Sequence, residues 1–160
     1  MYFELTLRLR IFKWRGPIFE KLQVYKLAEN LADGIWGVVR TWDYLAKDTV
    51  GKQMIRAADS IGANIAEGTG RGTFEDNRRF IRMARGSLYE TQHWRRRAYK
   101  RSLLNKQQAQ LLEPIVSELS PKLNAYYRSV NKAALDKGKQ STKHKAQSSQ
   151  FKALTETCSN

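Results

Sequence analysis

The sequence predicts an all-α fold: an antiparallel up-and-down four-helix bundle with an N-terminal β-like arm and a disordered basic C-terminal tail. Three observations lead there. Apolar residues recur at helical spacing in four successive segments, the 160 residues include only three prolines and ten glycines, and 41% of the chain is hydrophobic, with 4 Trp, 7 Tyr and 6 Phe. That apolar content is enough for one domain to bury a core. So few turn-forming residues argue against a sandwich or barrel, which needs a turn signal every ten residues or so.

The elements follow in order. In residues 1–17, Phe3, Leu5, Leu7, Leu9 and Ile11 alternate with Glu4, Thr6, Arg8 and Arg10, a period of two that reads as a strand. A lone strand leaves its backbone groups unpaired, so this arm pairs with another copy or partner, lies on the bundle surface or stays loose. Gly16-Pro17 breaks the pattern and suits a helix start. Residues 18–131 hold the bundle. In the first helix Val24, Ala28, Leu31, Ile35, Val38 and Trp42 share one face, ending near Tyr44. Asp48 offers an N-cap for a second helix with Met54, Ala57, Ala58, Ile61 and Ile65 inward and Gly68 as its stop.

After the glycines of residues 68–72, Thr73 and Asp76 resemble a capping box that opens a third helix. Its core face is Phe80, Ile81, Ala84, Ser87, Leu88, Thr91 and Ala98, and it runs to about Leu104, roughly 45 Å at 1.5 Å per residue. The fourth helix places Leu111, Leu112, Ile115, Leu119, Leu123, Tyr126, Tyr127 and Val130 inward, with Pro114 and Pro121 expected to kink or interrupt it. Beyond Val130 the composition turns to Lys, Gln, Ser and Thr, so residues 132–160 read as a basic, low-complexity, solvated tail.

Several function classes drop out. Cys158 has no partner for an internal disulfide, and neither His93 nor His144 has a second Cys or His at helical spacing, so no metal and no cofactor is expected. No apolar run is long enough to span a membrane, and charges interrupt what would be the apolar centre of a signal peptide, so the expected location is cytoplasmic. No credible catalytic constellation emerges. Asp59 and Glu67 share a helix, but they read as partners for arginines such as Arg56 or Arg95 rather than as a general acid and base. The expectation is a protein that is not an enzyme.

The informative signal is charge. The chain has 29 Lys and Arg against 15 Asp and Glu, a net +14, and residues 71–101 alone hold ten basic and three acidic groups. On the third helix Arg78, Arg82, Arg85, Tyr89, Gln92, Arg96 and Lys100 advance by three or four and form one stripe away from the core. Solvated helix faces normally interleave acids at such spacings. Here only Glu90 lies beyond the first turn, so the stripe is largely uncompensated and calls for a polyanion. Arginine's fork suits phosphate, and Tyr89 is placed to stack on a base or to pack against a neighbouring subunit. The Gly-Thr-Gly-Arg-Gly of 68–72 is not a phosphate loop, since no strand precedes it and no Lys-Ser or Lys-Thr follows. Its amides and Arg71 still stand where one phosphate would sit, at a helix N-terminus.

Ser60-Ile-Gly-Ala-Asn-Ile-Ala-Glu-Gly68, then Gly70-Arg71, then Ala84-Arg-Gly-Ser-Leu-Tyr-Glu90 resemble the four-helix-bundle family described from intervening sequences in bacterial large-subunit ribosomal RNA genes. Val24-Tyr-Lys-Leu-Ala28 and Arg56-Ala-Ala58 extend the resemblance over residues 18 to 130. A related member is the accessory variability protein of diversity-generating retroelements, a basic homopentamer that binds nucleic acid and a reverse transcriptase. The resemblance therefore implies a homo-oligomer, five copies by analogy, that binds RNA or DNA and partners a reverse transcriptase. It also marks Ser60, Asn64, Glu67, Gly68, Gly86, Ser87 and Glu90 as architecture. Gly86 and Ser87 opposite Ala58, Gly62 and Ala63 would let two helices approach, with Asn64, Glu67 and Glu90 bonding across them. Trp94-Arg-Arg-Arg97 departs from the family's apolar pattern, and Arg95 is expected to pair with an acid such as Asp59 or to face a partner. The expected nucleic-acid contacts are Arg71, Arg78, Arg82, Arg85, Arg96 and Lys100. The competing classes are a protein scaffold that docks an acidic partner and, behind it, a nuclease.

Overall fold

The computed structural model describes the backbone of residues 18–157 and the side chains of residues 18–140, so the expected N-terminal strand falls outside the described residues. A 3₁₀ turn, Ile18–Lys21, leads into α1, Gln23–Val39. A short α2, Tyr44–Ala46, passes through a π-helical turn, Lys47–Gly51, into α3, Lys52–Gly70. Then come α4, Phe74–Lys100, and α5, Lys106–Thr157. The long helices α1, α3, α4 and α5 form the bundle. Each packs on two others, with α1 against α3 and α5, and α4 against α3 and α5.

The core is the one the periodicity points to. Val24, Ala28, Leu31, Ile35, Val38 and Trp42 are all buried, as are Met54, Ala57, Ala58, Ile61 and Ile65, and so are Phe80, Ile81, Ala84, Leu88, Thr91 and Ala98. Thr91 is a polar residue in that core, and its hydroxyl is satisfied by the Ser87 carbonyl at 2.8 Å. On α5, Leu112, Val116, Leu119, Leu123 and Val130 are buried, whereas Leu111, expected inside, is 73% exposed.

Local chemistry sets the boundaries. Asp43, not the expected Asp48, caps the second helical stretch by accepting from the Ala46 amide at 2.9 Å; Asp48 lies inside the π turn and pairs with Lys52. That turn lies close against α1, because a Cβ on Gly51 would sit 2.6 Å from Val39 Cγ1 and 3.2 Å from the Ala46 carbonyl. Gly68 does not stop α3, which continues to Gly70. The turn is made by Gly72, whose φ of +52° belongs to the left-handed region. Thr73 caps α4, accepting from the Asp76 amide at 3.1 Å and donating to the Asp76 carboxylate at 2.6 Å. The helix ends at Lys100 rather than Leu104, with Ser102 at φ 58° in the turn. A box absent from the sequence reading opens α5: Asn105 Oδ1 accepts from the Gln108 amide, and Gln108 Oε1 accepts from the Asn105 amide.

Both prolines lie within α5, which continues past each of them. Pro114 and Pro121 are on its exposed side, where the carbonyls they leave unbonded point toward solvent. The expected tail differs most. The backbone stays helical to Thr157, since Lys, Gln and Ala are good helix formers and no proline follows Pro121. Residues 135–140 are all exposed, as a solvated segment requires.

Candidate nucleic-acid interface

Glu75 and Asp76 sit in the first turn of α4 and Arg97 and Lys100 in its last, each sign matching the helix dipole. Between them the basic stripe divides in two. Arg78 and Arg85 are half-buried toward α5. Arg78 donates through Nη1 to Asn131 Oδ1 at 2.7 Å and through Nη2 to Glu75 Oε2 at 3.0 Å, and Arg85 donates to Asn124 Oδ1 at 3.4 Å. Arg95, whose side chain is 18% exposed, pairs with Glu113 at 2.6 Å. As the α4 residue number rises through these bridges the α5 number falls, which is the signature of antiparallel helices in fixed register.

The row exposed throughout lies one position further around the helix: Arg79, Arg82, Gly86, Tyr89, His93, Arg96 and Lys100. The expected stripe is thereby corrected. Of its cations, Arg82, Arg96 and Lys100 face solvent, while Arg78 and Arg85 lay their stems along α5 and keep their forks for its asparagines. The sequence did contain the signal. Asn124 and Asn131 are seven residues apart, as are Arg78 and Arg85, so two antiparallel helices meet twice at that interval. Arg79 and Arg101, absent from the expected contacts, are exposed too. None of Arg79, Arg82, Arg96, Lys100 and Arg101 has an ion pair among the described residues.

Arg71 is exposed but engaged. It pairs with the Glu67 carboxylate, which raises the guanidinium's pKa, and its Cζ lies 5.2 Å from the centroid of Phe80. The remaining motif residues serve their own helices. Ser60 Oγ donates to the Arg56 carbonyl, Asn64 Nδ2 to the Ser60 carbonyl, and Ser87 Oγ to the Met83 carbonyl. Glu90 accepts from Trp94 Nε1 at 3.4 Å. The expectation that Asn64, Glu67 and Glu90 bond across helices is therefore replaced by contacts four residues along the chain.

Gly86 is also corrected: it is exposed, and a Cβ there would meet nothing within 4 Å. Gly62 faces Tyr25 and Ala28 of α1 instead of α4. The close approach of α3 and α4 falls to Gly68, where a Cβ would lie 2.8 Å from that of Phe80 and 3.0 Å from Asn77 Oδ1. Beside it Tyr126 ties three helices together, its hydroxyl 3.4 Å from Thr69 Oγ1 and 3.3 Å from Asn77 Nδ2. Arg95 takes its acid from α5, not from Asp59. Asp59 instead shares a groove with Glu29 and Asp33 on the α1–α3 side, where burial and then the Asp33 charge raise its pKa.

Among the described residues no three His, Cys, Asp or Glu side chains group as metal ligands, and no helix is long and apolar enough to cross a membrane. The model of the 23S rRNA-intervening sequence protein family matches residues 20–125. No protein of curated function matches the chain. Among solved structures, the chain is similar to a protein of unknown function from the S23 ribosomal protein family of Bacteroides thetaiotaomicron VPI-5482, with 20% identity, 66% of this chain and 95% of that chain covered, and a TM-score of 0.59. At that identity the likeness is one of fold.

Proposed function

The chain belongs to the 23S rRNA-intervening sequence protein family, and from that premise we propose that it is a non-enzymatic, homo-oligomeric protein that binds RNA or DNA through the exposed side of α4. The observation that carries this reading is the set of five exposed cations, Arg79, Arg82, Arg96, Lys100 and Arg101, on one helix and its end with no acid to neutralise them. An uncompensated row of this kind repels itself and gains from a polyanion. The family's tie to ribosomal RNA genes favours RNA over DNA. The resemblance to the retroelement accessory protein adds five copies and a reverse transcriptase as the protein partner. No reaction is assigned, because Asp59 and Glu67 serve different surroundings, a shared acidic groove and an ion pair with Arg71.

Binding of labelled RNA and DNA, followed by fluorescence anisotropy across a salt series, tests the reading. Replacing Arg79, Arg82 and Arg96 by Gln should lower the slope of log affinity against log salt by roughly 0.7 to 0.9 per lost contact. Sequence preference should hardly change, since phosphate contacts position without reading bases. Deleting residues 132–160 should cost less affinity than the triple substitution. Light scattering should give about five times the monomer mass, and a clean monomer at micromolar concentration overturns the oligomer. A scaffold for an acidic protein is favoured by a single feature, the groove of Trp36, Val39 and Ile55 with Arg40, Lys47 and Lys52 beside it. Absence of salt-sensitive nucleic-acid binding would move the assignment there.

A further inference from the structure

A cleft of about 430 Å³ opens between the C-terminal half of α4 and the start of α5, within the usual size of small-ligand sites. Arg95 and Glu113 face each other across it, and Gln92, Arg96, Tyr99 and Ser117 also line it. A smaller depression of about 180 Å³ adjoins it, formed by Tyr89, Gln92, His93 and Arg96. Gln92 and Arg96 thus belong to both hollows, and each hollow has its own aromatic ring. Both tyrosines are exposed, Tyr99 at 51% and Tyr89 at 57%.

Two features of this region are unexplained by the bundle. Arg95 spends Nη2 on Glu113, but its Nη1 is buried with no acceptor, and a buried guanidinium donor left unpaired is costly. Arg96 lies on the exposed cationic row, between the two rings, without an acid. Resting on the nucleic-acid reading above, we infer that this region takes two unstacked bases of a single strand, one against Tyr99 in the cleft and one against Tyr89, with a backbone phosphate on Arg96 between them. The Gln92 amide lies within the same hollow for a base edge. Tyr89 and Tyr99 are ten residues apart on α4, about 15 Å along its axis, a span that a continuous duplex fills with bases already stacked on one another. A paired base has no free face to give either ring, so the site selects loops, bulges and single strands.

The test compares an unstructured RNA decamer with an RNA duplex of equal length by anisotropy at one salt concentration, for the full chain and for Tyr99→Ala and Tyr99→Phe. Tyr99 is exposed, and circular dichroism checks that the variants keep their helices. The single strand should bind more tightly than the duplex. Tyr99→Ala should weaken the single strand by about 5- to 150-fold and leave the duplex within about twofold, and Tyr99→Phe, which keeps the ring, should restore most of the loss. A decamer carrying 2-aminopurine should show its fluorescence change on binding to the unsubstituted chain and less so with Tyr99→Ala. Binding of both nucleic acids with equal loss, or with no loss, in Tyr99→Ala overturns this inference and leaves the proposed function standing. Binding of neither by the unsubstituted chain overturns both.

Discussion

The two sides of the bundle join their helices by opposite means. Between α1 and α3 the groove floor is Ala28, Ala32, Ala58, Gly62 and Ala63, with the acids Glu29, Asp33 and Asp59 above it. A Cβ on Gly62 would already lie 3.5 Å from the Tyr25 ring and 3.9 Å from the Ala28 Cβ, so small residues bring these helices together by backbone approach. Between α4 and α5 long side chains span the seam, with Arg78, Arg85 and Arg95 reaching Asn131, Asn124 and Glu113. One seam is lined by small residues and acids; the other is bridged and basic. The difference teaches that the helix packed beside an arginine decides what it does. In the bridged seam it becomes a structural brace, and one position further around α4 the same side chain is free for a ligand.

The strongest way to break the bridged seam is Glu113→Ala. It removes the acid from a half-buried arginine whose other amino group already lacks a partner, and the expected loss is about 1–3 kcal/mol in urea unfolding. Arg71 and Glu67 form a pair of the same kind in solvent, and Glu67→Ala should cost clearly less than Glu113→Ala in the same unfolding measurement. Equal losses for the two would dissolve the distinction between brace and surface pair.

Gly86→Ala sharpens the contrast from the exposed side. A methyl there meets open space, so replacing a helix-interior glycine should stabilise the monomer by about 0.5–1 kcal/mol. If light scattering shows that the change instead dissociates an assembly, Gly86 is a subunit contact rather than a bystander. The smallest effect is on the acidic seam. Burial, then the Asp33 charge, raises the pKa of Asp59, so the folded state holds that proton more tightly than the unfolded state. The stability it adds is present below the ordinary carboxylate pKa of about 3.9 and is lost as pH rises through the higher folded value. At neutral pH the ionised group is a net cost. Asp59→Asn should therefore raise the melting temperature slightly at pH 7, with the gain shrinking as pH falls toward 4; a constant gain across that range would remove the cause from ionisation.

Much of the architecture was legible because periodicity reports burial directly. An apolar residue every three or four positions has one way to leave water in a helix, and the faces from Val24 to Trp42, from Met54 to Ile65 and from Phe80 to Ala98 are buried accordingly. Thr73 and Asp76 were readable for a similar reason, since a cap acts within four residues of itself. The stop at Gly68 was misread because a glycine serves equally as a terminator and as a gap. Only the neighbouring Phe80 and Asn77 show that it is the gap.

By itself, then, the sequence determined the helical class, most of the core and the concentration of positive charge on the third long helix, because each depends on properties summed along one segment. The tertiary structure decided how that charge is divided. Arg78 and Arg79 are adjacent and chemically identical, yet one braces α5 and the other faces water. A rotation of 100° per residue separates their directions, and the position of α5 determines which direction is covered. The same holds for Tyr99 and Arg95, ordinary residues of a helix face until α5 closes a cleft against them.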